Sequence, residues 1–393
     1  MFFKRTFWKK VEVRMKIRVL YVIGHGGFGG IERHVQGILQ NIDTTAVEPH
    51  LCVVMEGGPI SDEIGRLGVS VTVINAHSGH DVRILSQFRD LLKKFKPDVI
   101  HAHEMQLLVL LTLMICQKIP VVYSIHCPVK QMDQSWWKSM WIISGMSYRI
   151  DRFVGVSQST LDSLLTCVPK VKPRSLVVFN GLSMENLPKK DSFGLRQEFR
   201  IPDTAPLICG VGRLAEQKDW NSFLSVCAGI HNVLPICHFL AVGDGSLRDA
   251  LKQRGSELGL DNNLHWLGAR TDARRIIGGS DLFLFPSLHE ELPTTLLEAF
   301  AMRTPVAGFL PTGGTAEVIA LSKGKTVAML LEKRDCTALT QVVLSILQNH
   351  DESVHMVDEA YKLVCNHFDM KIIAAQLVHV YQSLVYGANL KKD

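Results

Sequence analysis

The 393-residue chain lacks several features that would assign it to particular classes of protein. Its nine cysteines form no Cys-x-x-Cys pair and no zinc-ligand spacing, which argues against a disulfide framework and favours a reducing compartment. The net charge of +5 is too small to indicate nucleic-acid binding, although it suits an anionic substrate or a membrane surface. Because the hydrophobic content is 47%, a disordered chain is also disfavoured.

Long apolar runs are missing as well. The most apolar stretch, Met105–Cys116, has only 12 residues, so it predicts a buried helix and not a membrane span. Residues 1–16 mix aromatic and cationic side chains without an apolar core, which is typical neither of a signal peptide nor of a span. This leader is either an interfacial anchor or a frayed segment before a true start at Met15. The tryptophans at 136, 137 and 141 are either packed normally or form a membrane-facing or acceptor-facing surface.

Short apolar runs alternate with helical or polar segments along the rest of the chain. The first series of predicted strands lies at Ile17–Ile23, Leu51–Met55, Val69–Ile74, Val99–His101, Val121–His126, Phe153–Val156 and Leu176–Phe179. The second lies at Leu207–Gly212, His238–Val242, Leu264–Leu267, Leu282–Phe285, Pro305–Phe309 and Val327–Leu330. This rhythm predicts an α/β fold with two Rossmann-like, doubly wound parallel sheets. The expected division is a leader at 1–16, domains at 17–185 and 186–369, and a C-terminal helix at 370–393 that crosses back to the first domain.

The turn after the strand Leu282–Phe285 carries two carboxylates. Glu290 lies in the loop that leaves the strand, and Glu298 lies on the helix that follows. Pro293 suits the first turn of that helix, where its missing N–H costs nothing. Ligands of open α/β sheets bind beyond the carboxyl ends of the strands. These acids are therefore candidates for holding sugar hydroxyls, with a helix N-terminus available for phosphate.

Glycines and cations follow other predicted strands. The loop Gly24–Gly30 joins the first strand to a helix, although its spacing differs from Gly-x-Gly-x-x-Gly. Arg213 and Lys218 follow the strand that opens the second series, where fixed cations can neutralise a diphosphate. The stretches Val242–Ser246 and Thr312–Glu317 add further glycine turns.

Together these stretches resemble the retaining glycosyltransferases of family 4, the glycosyl transferases group 1, which have the two-domain GT-B fold. The resemblance covers nearly the whole chain from about Ile17. The matching stretches are Gly29–His34, Pro97–His103, Gly212–Leu214 with Lys218, Val242–Gly245, and Glu290, Pro293, Glu298 and Ala299.

The resemblance implies a role for each matching residue. Glu298 is expected to bind the ribose of a nucleotide-sugar, Glu290 the transferred sugar, and Arg213 and Lys218 the diphosphate. His126 matches a histidine that reaches the donor sugar from the first domain, whereas His101 and His103 are expected to be structural. The remaining nucleotide-sugar contacts are expected at Gly29, Gly30, Gly212, Gly243, Leu292, Pro293 and Thr294.

The chain departs from the family pattern at two positions. Glu291 stands where the family usually has glycine, and a second carboxylate there would repel a diphosphate unless it pointed away or were protonated. Arg303 stands at the other position that usually holds glycine.

The predicted function is metal-independent, retaining transfer of a hexose-type sugar from a UDP- or GDP-linked donor to an acceptor hydroxyl, without a cofactor. The acceptor is expected to be a glycan or lipid-linked molecule of polysaccharide, lipopolysaccharide or glycolipid assembly, at the cytoplasmic face of a membrane. The alternatives are a nucleotide-sugar epimerase or hydrolase of the same fold, a dinucleotide oxidoreductase, and a non-catalytic binding module.

The leader yields a test of membrane contact. Four of its cations, at positions 4, 5, 9 and 10, lie among aromatic residues, and each cation near an anionic leaflet contributes about 1 kcal/mol. We expect the full chain to co-sediment with anionic vesicles at low salt and to be released at high salt, and a chain starting at Met15 to bind less. If both proteins stay in the supernatant at low salt, the leader does not bind membranes.

Overall fold

The computed structural model describes residues 16–27, 29–78, 81–103, 119–127, 147–185, 187–190 and 192–387. The leader, the apolar stretch Met105–Cys116 and the tryptophans at 136, 137 and 141 lie outside these residues. The described chain forms two parallel sheets, of seven and six strands, with helices between the strands. The predicted fold class, two doubly wound parallel α/β domains, is confirmed.

The first sheet has the strand order β3-β2-β1-β4-β5-β6-β7. Its strands are β1 Ile17–Ile23, β2 Val47–Val53, β3 Ser70–Val73, β4 Val99–Ala102, β5 Val121–Ile125, β6 Arg152–Gly155 and β7 Ser175–Val177. The accompanying helices are α1 Gly30–Asn41, α2 Pro59–Arg66, α3 Arg83–Phe95 and α4 Gln158–Cys167. The chain runs outward from β1 to β3 and then returns to β4 on the other side, so the strand order reverses between β1 and β4.

The second sheet has the order β10-β9-β8-β11-β13-β15, and β12 pairs with β14 separately. The strands are β8 Leu207–Val211, β9 His238–Val242, β10 Leu264–Gly268, β11 Leu282–Phe285, β12 His289–Glu290, β13 Val306–Phe309, β14 Thr312–Gly313 and β15 Met329–Leu331. The helices are α5 Ser192–Phe199, α6 Trp220–Val233, α7 Arg248–Glu257, α8 Ala273–Gly279, α9 Thr294–Ala301, α10 Thr315–Ala320, α11 Cys336–Gln348, α12 His350–His367 and α13 Met370–Val385. Here the order reverses between β8 and β11.

Every predicted strand of the two sheets is present, with shifted ends in several cases. The largest shift is in β2, which begins at Val47, four residues before the predicted start at Leu51. The stretch Glu48–His50 is polar, so the hydrophobic pattern does not predict this part of the strand. It nevertheless pairs in register with β1. The prediction that Pro293 lies in the first turn of a helix is wrong by one residue, because α9 begins at Thr294 and Pro293 caps it.

The C-terminal helix α13 packs against the first sheet, although it follows the second sheet in sequence. Ile373, Leu377 and Tyr381 of this helix are buried with residues of β1 and α1. Gly37 of α1 makes room for the contact, since a Cβ atom there would lie 2.6 Å from Cε of Met370. The apolar stripe of α13 therefore joins the end of the chain to the first domain.

Arg303 has a backbone conformation that suits the glycine expected at this position from the resemblance. Its φ angle is +53°, in the left-handed region that glycine adopts most easily. The guanidinium pairs with Asp358 and lies 4.0 Å from the ring centroid of Tyr361. These contacts hold a residue with a Cβ atom in a turn that favours glycine.

Candidate active site

The candidate site is built at the points where the strand order reverses. The loops after β8 and β11 leave the carboxyl ends of adjacent strands, which is where open α/β sheets bind ligands. The loop after β8 begins with Gly212, and its backbone touches that of Gly243, which follows β9. Gly243 has φ +145°, and a Cβ atom there would lie 1.8 Å from the oxygen of Gly212. Only glycine permits this approach.

Lys218 and Glu290 form the central contact of this site. Nζ of Lys218 donates to Oε1 of Glu290 over 2.5 Å, and only 7% of the Glu290 side chain is exposed. Lys218 ends a 3-10 turn after β8, whereas β12 positions Glu290 by pairing with β14. The two predicted residues, 72 positions apart in the sequence, are thus brought together as a partly buried ion pair.

Arg213 lies in the same loop as Lys218, but its side chain is exposed. Its guanidinium makes no hydrogen bond or ion pair with the described residues, whereas its backbone oxygen accepts a hydrogen bond from Nε1 of Trp220 over 3.0 Å. The backbone of the loop is therefore anchored while the cationic group remains available at the carboxyl edge of the sheet.

Glu298 projects from α9 and is paired with an arginine that the sequence analysis did not single out. Nε of Arg274, on α8, donates to Oε1 of Glu298 over 3.0 Å. Leu292 and Pro293 are buried immediately before α9, and Thr294 begins this helix. The signal for Arg274 in the sequence is weak, because a pair of arginines in a helix is usually a solvated surface.

Glu291, the departure from the family pattern, is paired with a histidine. Its Oε2 lies 2.6 Å from Nε2 of His289, and Nδ1 of His289 lies 2.7 Å from Oγ1 of Thr312. Burial raises the pKa of the Glu291 carboxyl and the charge of Glu290 raises it further, while His289 and, more weakly, Lys218 act to lower it. The carboxylate therefore has a local partner, which reduces the repulsion that a bare acid would exert on a diphosphate.

The first domain contributes a group of four histidines, at positions 34, 101, 103 and 126, of which the first three are buried and His126 is half-buried. Nδ1 of His101 lies 2.6 Å from the hydroxyl of Tyr381, and its Nε2 lies 2.8 Å from Oγ of Ser124. Burial lowers the pKa of His101 to about 3 and that of His126 to about 4. Burial also lowers the pKa values of His34 and His103 well below the usual range. All four rings are consequently neutral at neutral pH.

The hydrogen bond between two of these rings fixes their protons. Nδ1 of His103 lies 3.0 Å from Nε2 of His126, and Nε2 of His103 is buried without a partner among the described residues. Because a buried N–H without an acceptor is rare, the proton of His103 belongs on Nδ1 and is donated to His126. His126 then carries its own proton on Nδ1. His103, expected to be structural, thereby sets the tautomer of His126.

The predicted residues form two groups in the structure. Gly212, Arg213, Lys218, Gly243 and Glu290 cluster at the carboxyl edge of the second sheet, with Leu292, Pro293, Thr294 and Glu298 along the start of α9. Gly29 and Gly30 stand at the start of α1, and His126 follows β5, both in the first domain. No hydrogen bond between described residues joins His126 to Lys218 or Glu290.

Two surveys cover only the part of the chain that the structure describes. Within it, no group of three or more histidine, cysteine, aspartate or glutamate side chains is arranged to hold a metal ion. Within the same residues, no helix combines the length and the apolar character that crossing a membrane requires.

Comparisons with known proteins agree with this architecture. Residues 191–363 match the family model described as glycosyl transferases group 1, and residues 28–186 match that described as glycosyltransferase family 4. The structure of Anabaena HepE in complex with UDP and glucose is similar with a TM-score of 0.79 and 18% identity, over 93% of this chain and 100% of that one. At this identity the likeness shows the fold, which is GT-B.

Two curated relatives are similar over shorter segments. The 2-deoxystreptamine N-acetyl-D-glucosaminyltransferase of Streptomyces fradiae is 24% identical over 277 residues, or 66% of this chain and 64% of the relative. The lipopolysaccharide core biosynthesis glycosyltransferase LpsE of Rhizobium meliloti is 31% identical over 111 residues, or 28% of this chain and 32% of the relative. The chain thus matches less than two thirds of the length of either relative.

The ion pair of the site yields a prediction about stability. The variant Lys218→Met leaves the buried Glu290 carboxylate unpaired, which costs about 3–5 kcal/mol of unfolding free energy. We expect Lys218→Met/Glu290→Gln to recover most of this loss, because the buried charge is then gone. Denaturant unfolding measures both variants, with the exposed Lys252→Met as control. A double variant no more stable than Lys218→Met would contradict the pairing.

The four histidines yield a prediction about the stability of the protein at low pH. Because the folded-state pKa of each histidine lies below the ordinary value of about 6.5, the unfolded chain binds more protons as the pH falls below that value. Stability is therefore complete above about pH 6.5 and is lost toward about pH 4, with a slope of about 1.4 kcal/mol per pH unit for each proton.

Replacing one member of the histidine group tests this slope. We expect His34→Leu to take up about one proton fewer on unfolding than the wild type. The unfolding free energy should therefore depend less steeply on pH, by the slope that one proton contributes. The unfolding free energy is measured from pH 4.5 to pH 7, with the exposed His355→Gln as control. An identical slope in His34→Leu and wild type would show that the pKa of His34 is the same in the folded and unfolded states.

Proposed function

Because the chain belongs to the group 1 glycosyl transferases with the GT-B fold, we propose that it transfers a sugar from a nucleotide-diphosphate sugar to an acceptor hydroxyl. The observation that carries this proposal is the ion pair between Lys218 and Glu290 beside the exposed Arg213. Two cations and an acid at the carboxyl ends of β8 and β11 supply groups for both halves of such a donor, its diphosphate and its sugar.

Each group has a specific task in this proposal. Arg213 offers a planar fork to phosphate oxygens, and Lys218 adds a compact positive charge. Glu290 accepts hydrogen bonds from sugar hydroxyls, and Glu298 accepts them from the ribose. α9 begins at Thr294, four residues after Glu290, so the positive end of its dipole favours the negative charge of the diphosphate.

The proposed reaction keeps the configuration of the anomeric carbon. The bond from the anomeric carbon to the phosphate oxygen breaks while the bond to the acceptor oxygen forms on the same face. The acceptor proton passes to the departing phosphate. Arg213 and Lys218 stabilise the charge that develops on this leaving group, so the protein acts mainly by electrostatic stabilisation. In this mechanism no metal ion is required.

In this proposal His126 contributes to the site from the first domain. With its proton on Nδ1, it presents an N–H donor, and its lowered pKa keeps it neutral. A neutral N–H suits a sugar hydroxyl, whereas a charged imidazolium would compete with Lys218 for the diphosphate. We assign His126 to the transferred sugar.

The donor and acceptor classes are proposed from the relatives. UDP and glucose occupy the similar Anabaena structure, so UDP-linked hexoses are the first donors to test and GDP-linked sugars the second. LpsE is a lipopolysaccharide core biosynthesis glycosyltransferase, which favours a glycan or lipid-linked acceptor. Such an acceptor is consistent with peripheral membrane contact through the leader, at the cytoplasmic face.

The test combines product analysis with one variant. Incubation with labelled nucleotide-sugars and acceptors is expected to give a glycoside of retained configuration, whereas an epimer or free sugar would indicate the epimerase or hydrolase instead. Arg213→Ala is expected to lower kcat by about 10²-fold, because it removes charge stabilisation from the leaving group. The exposed Arg254→Ala is the control, and activity is expected to survive EDTA. Wild-type rates from Arg213→Ala would contradict the mechanism.

A further inference from the structure

A carboxylate of the second domain is bound at the N-terminus of a helix in the first. Oε2 of Glu317, on α10, accepts a hydrogen bond from the backbone N–H of Gln158 over 2.6 Å. Oε1 of the same side chain accepts one from the backbone N–H of Ser159 over 2.7 Å. Both N–H groups belong to the first turn of α4. A single side chain therefore connects elements 158 positions apart in the sequence.

The first turn of α4 depends on this contact. The first N–H groups of a helix have no partner within the helix. Here the N–H of Thr160 is satisfied by Oγ of Ser157 over 3.1 Å, and that of Leu161 by the backbone oxygen of Ser157 over 3.1 Å. The two remaining N–H groups are those that Glu317 binds. The negative charge also lies at the positive end of the helix dipole, where an anion is favoured.

The same carboxylate is linked to the candidate site through the backbone. Glu317 follows β14, which pairs with β12, and Gly313 is in register with Glu290. The N–H of Gly314 donates to the oxygen of Glu290 over 2.8 Å. A Cβ atom at Gly314 would lie 2.1 Å from the oxygen of Glu291 and 3.0 Å from Cβ of Ser157. The strand pair with Glu290 thus lies directly against the cap of α4.

We propose that Glu317 is a positioning residue that holds the strand pair β12–β14, and with it Glu290, against the first domain by binding the N-terminus of α4. It contacts no substrate in this assignment. It aligns the charged group of the second domain with the histidines of the first, so that one sugar can contact both. The effect on catalysis rests on the proposed function, whereas the contact itself does not.

Two single variants remove the contact from opposite sides. Glu317→Gln keeps the shape of the side chain but removes its charge and one of its two acceptor oxygens. Gln158→Pro removes one N–H and nothing from the second domain. Proline is well tolerated at the first position of a helix. The preceding Ser157 already has φ −153° and ψ 163°, the extended conformation that a following proline requires.

The chain also supplies a matched control. Gln158→Ala removes the side chain, which donates to Asp162 over 2.7 Å, but keeps the backbone N–H that binds Glu317. Any effect seen in Gln158→Pro and absent from Gln158→Ala is therefore due to the backbone donor.

The kinetic test distinguishes a loss of positioning between the domains from damage to the residues that bind the donor. We expect Glu317→Gln and Gln158→Pro each to lower kcat by about tenfold, as expected from the loss of a hydrogen bond to a charged group. Affinity for UDP alone, measured by calorimetry, should change little, because Arg213, Lys218 and Glu298, to which the proposed function assigns the diphosphate and the ribose, all lie in the second domain. The double variant should be no slower than the slower single variant. Additive effects, or wild-type rates from Gln158→Pro, would overturn the proposal.

Hydrogen exchange tests the contact without any activity. The N–H of Ser159 should exchange slowly in the wild type and in Gln158→Ala, and faster in Glu317→Ala, because this variant removes both acceptor oxygens and no other described group binds that N–H. If this exchange is the same in wild type and Glu317→Ala, the positioning role is wrong. If exchange changes as expected but the wild type transfers no sugar, the proposed function fails and the contact between the domains stands.

Discussion

The ion pair between Lys218 and Glu290 is the interaction on which the candidate site depends. A carboxylate with 7% of its side chain exposed is stable there only because a cation lies 2.5 Å away. No single strand could bring these two side chains together. The turn after β8 carries the lysine, and the short pair β12–β14 carries the glutamate. The parallel topology brings them together, because β8 and β11 are neighbours although 70 residues separate them.

Closely packed glycines and a paired acid make this arrangement possible. Gly243 lets its loop touch that of Gly212, and Gly314 lets β14 approach both Glu291 and the cap of α4. The additional carboxylate at Glu291 is accommodated by His289, whose other nitrogen is bound by Thr312. Neighbours from β12 and β14 therefore support Glu291, although it differs from the family pattern. The difference is local, because the ion pair of Lys218 and Glu290 stays in place.

The sequence was sufficient to predict the strands of both sheets and the fold class, because buried parallel strands are short apolar runs bounded by turns. It failed for β12 and β14, which have two residues each and no apolar pattern. It also failed to single out Arg274 and Glu317. Each of these side chains binds a partner distant in the sequence, namely Glu298 and the first turn of α4. A side chain that satisfies a distant polar group leaves no local pattern, whereas a loop glycine or a cation after a strand does.

Under the proposed function, the two domains contribute to the binding of a charged sugar donor in different ways. The second domain supplies cations: Lys218 is paired with Glu290, whereas the guanidinium of the exposed Arg213 has no ion pair among the described residues. The first domain supplies neutral hydrogen-bonding rings, because burial lowers the pKa values of its histidines far enough to keep them uncharged. A charged histidine group would compete with Lys218 and Arg213 for the diphosphate. Neutral rings leave the diphosphate to these cations and suit hydroxyl groups. This difference follows from the surroundings of the side chains: His101 and His103 are buried, and His101 contacts Tyr381 of α13, whereas Arg213 lies exposed at the carboxyl edge of the second sheet.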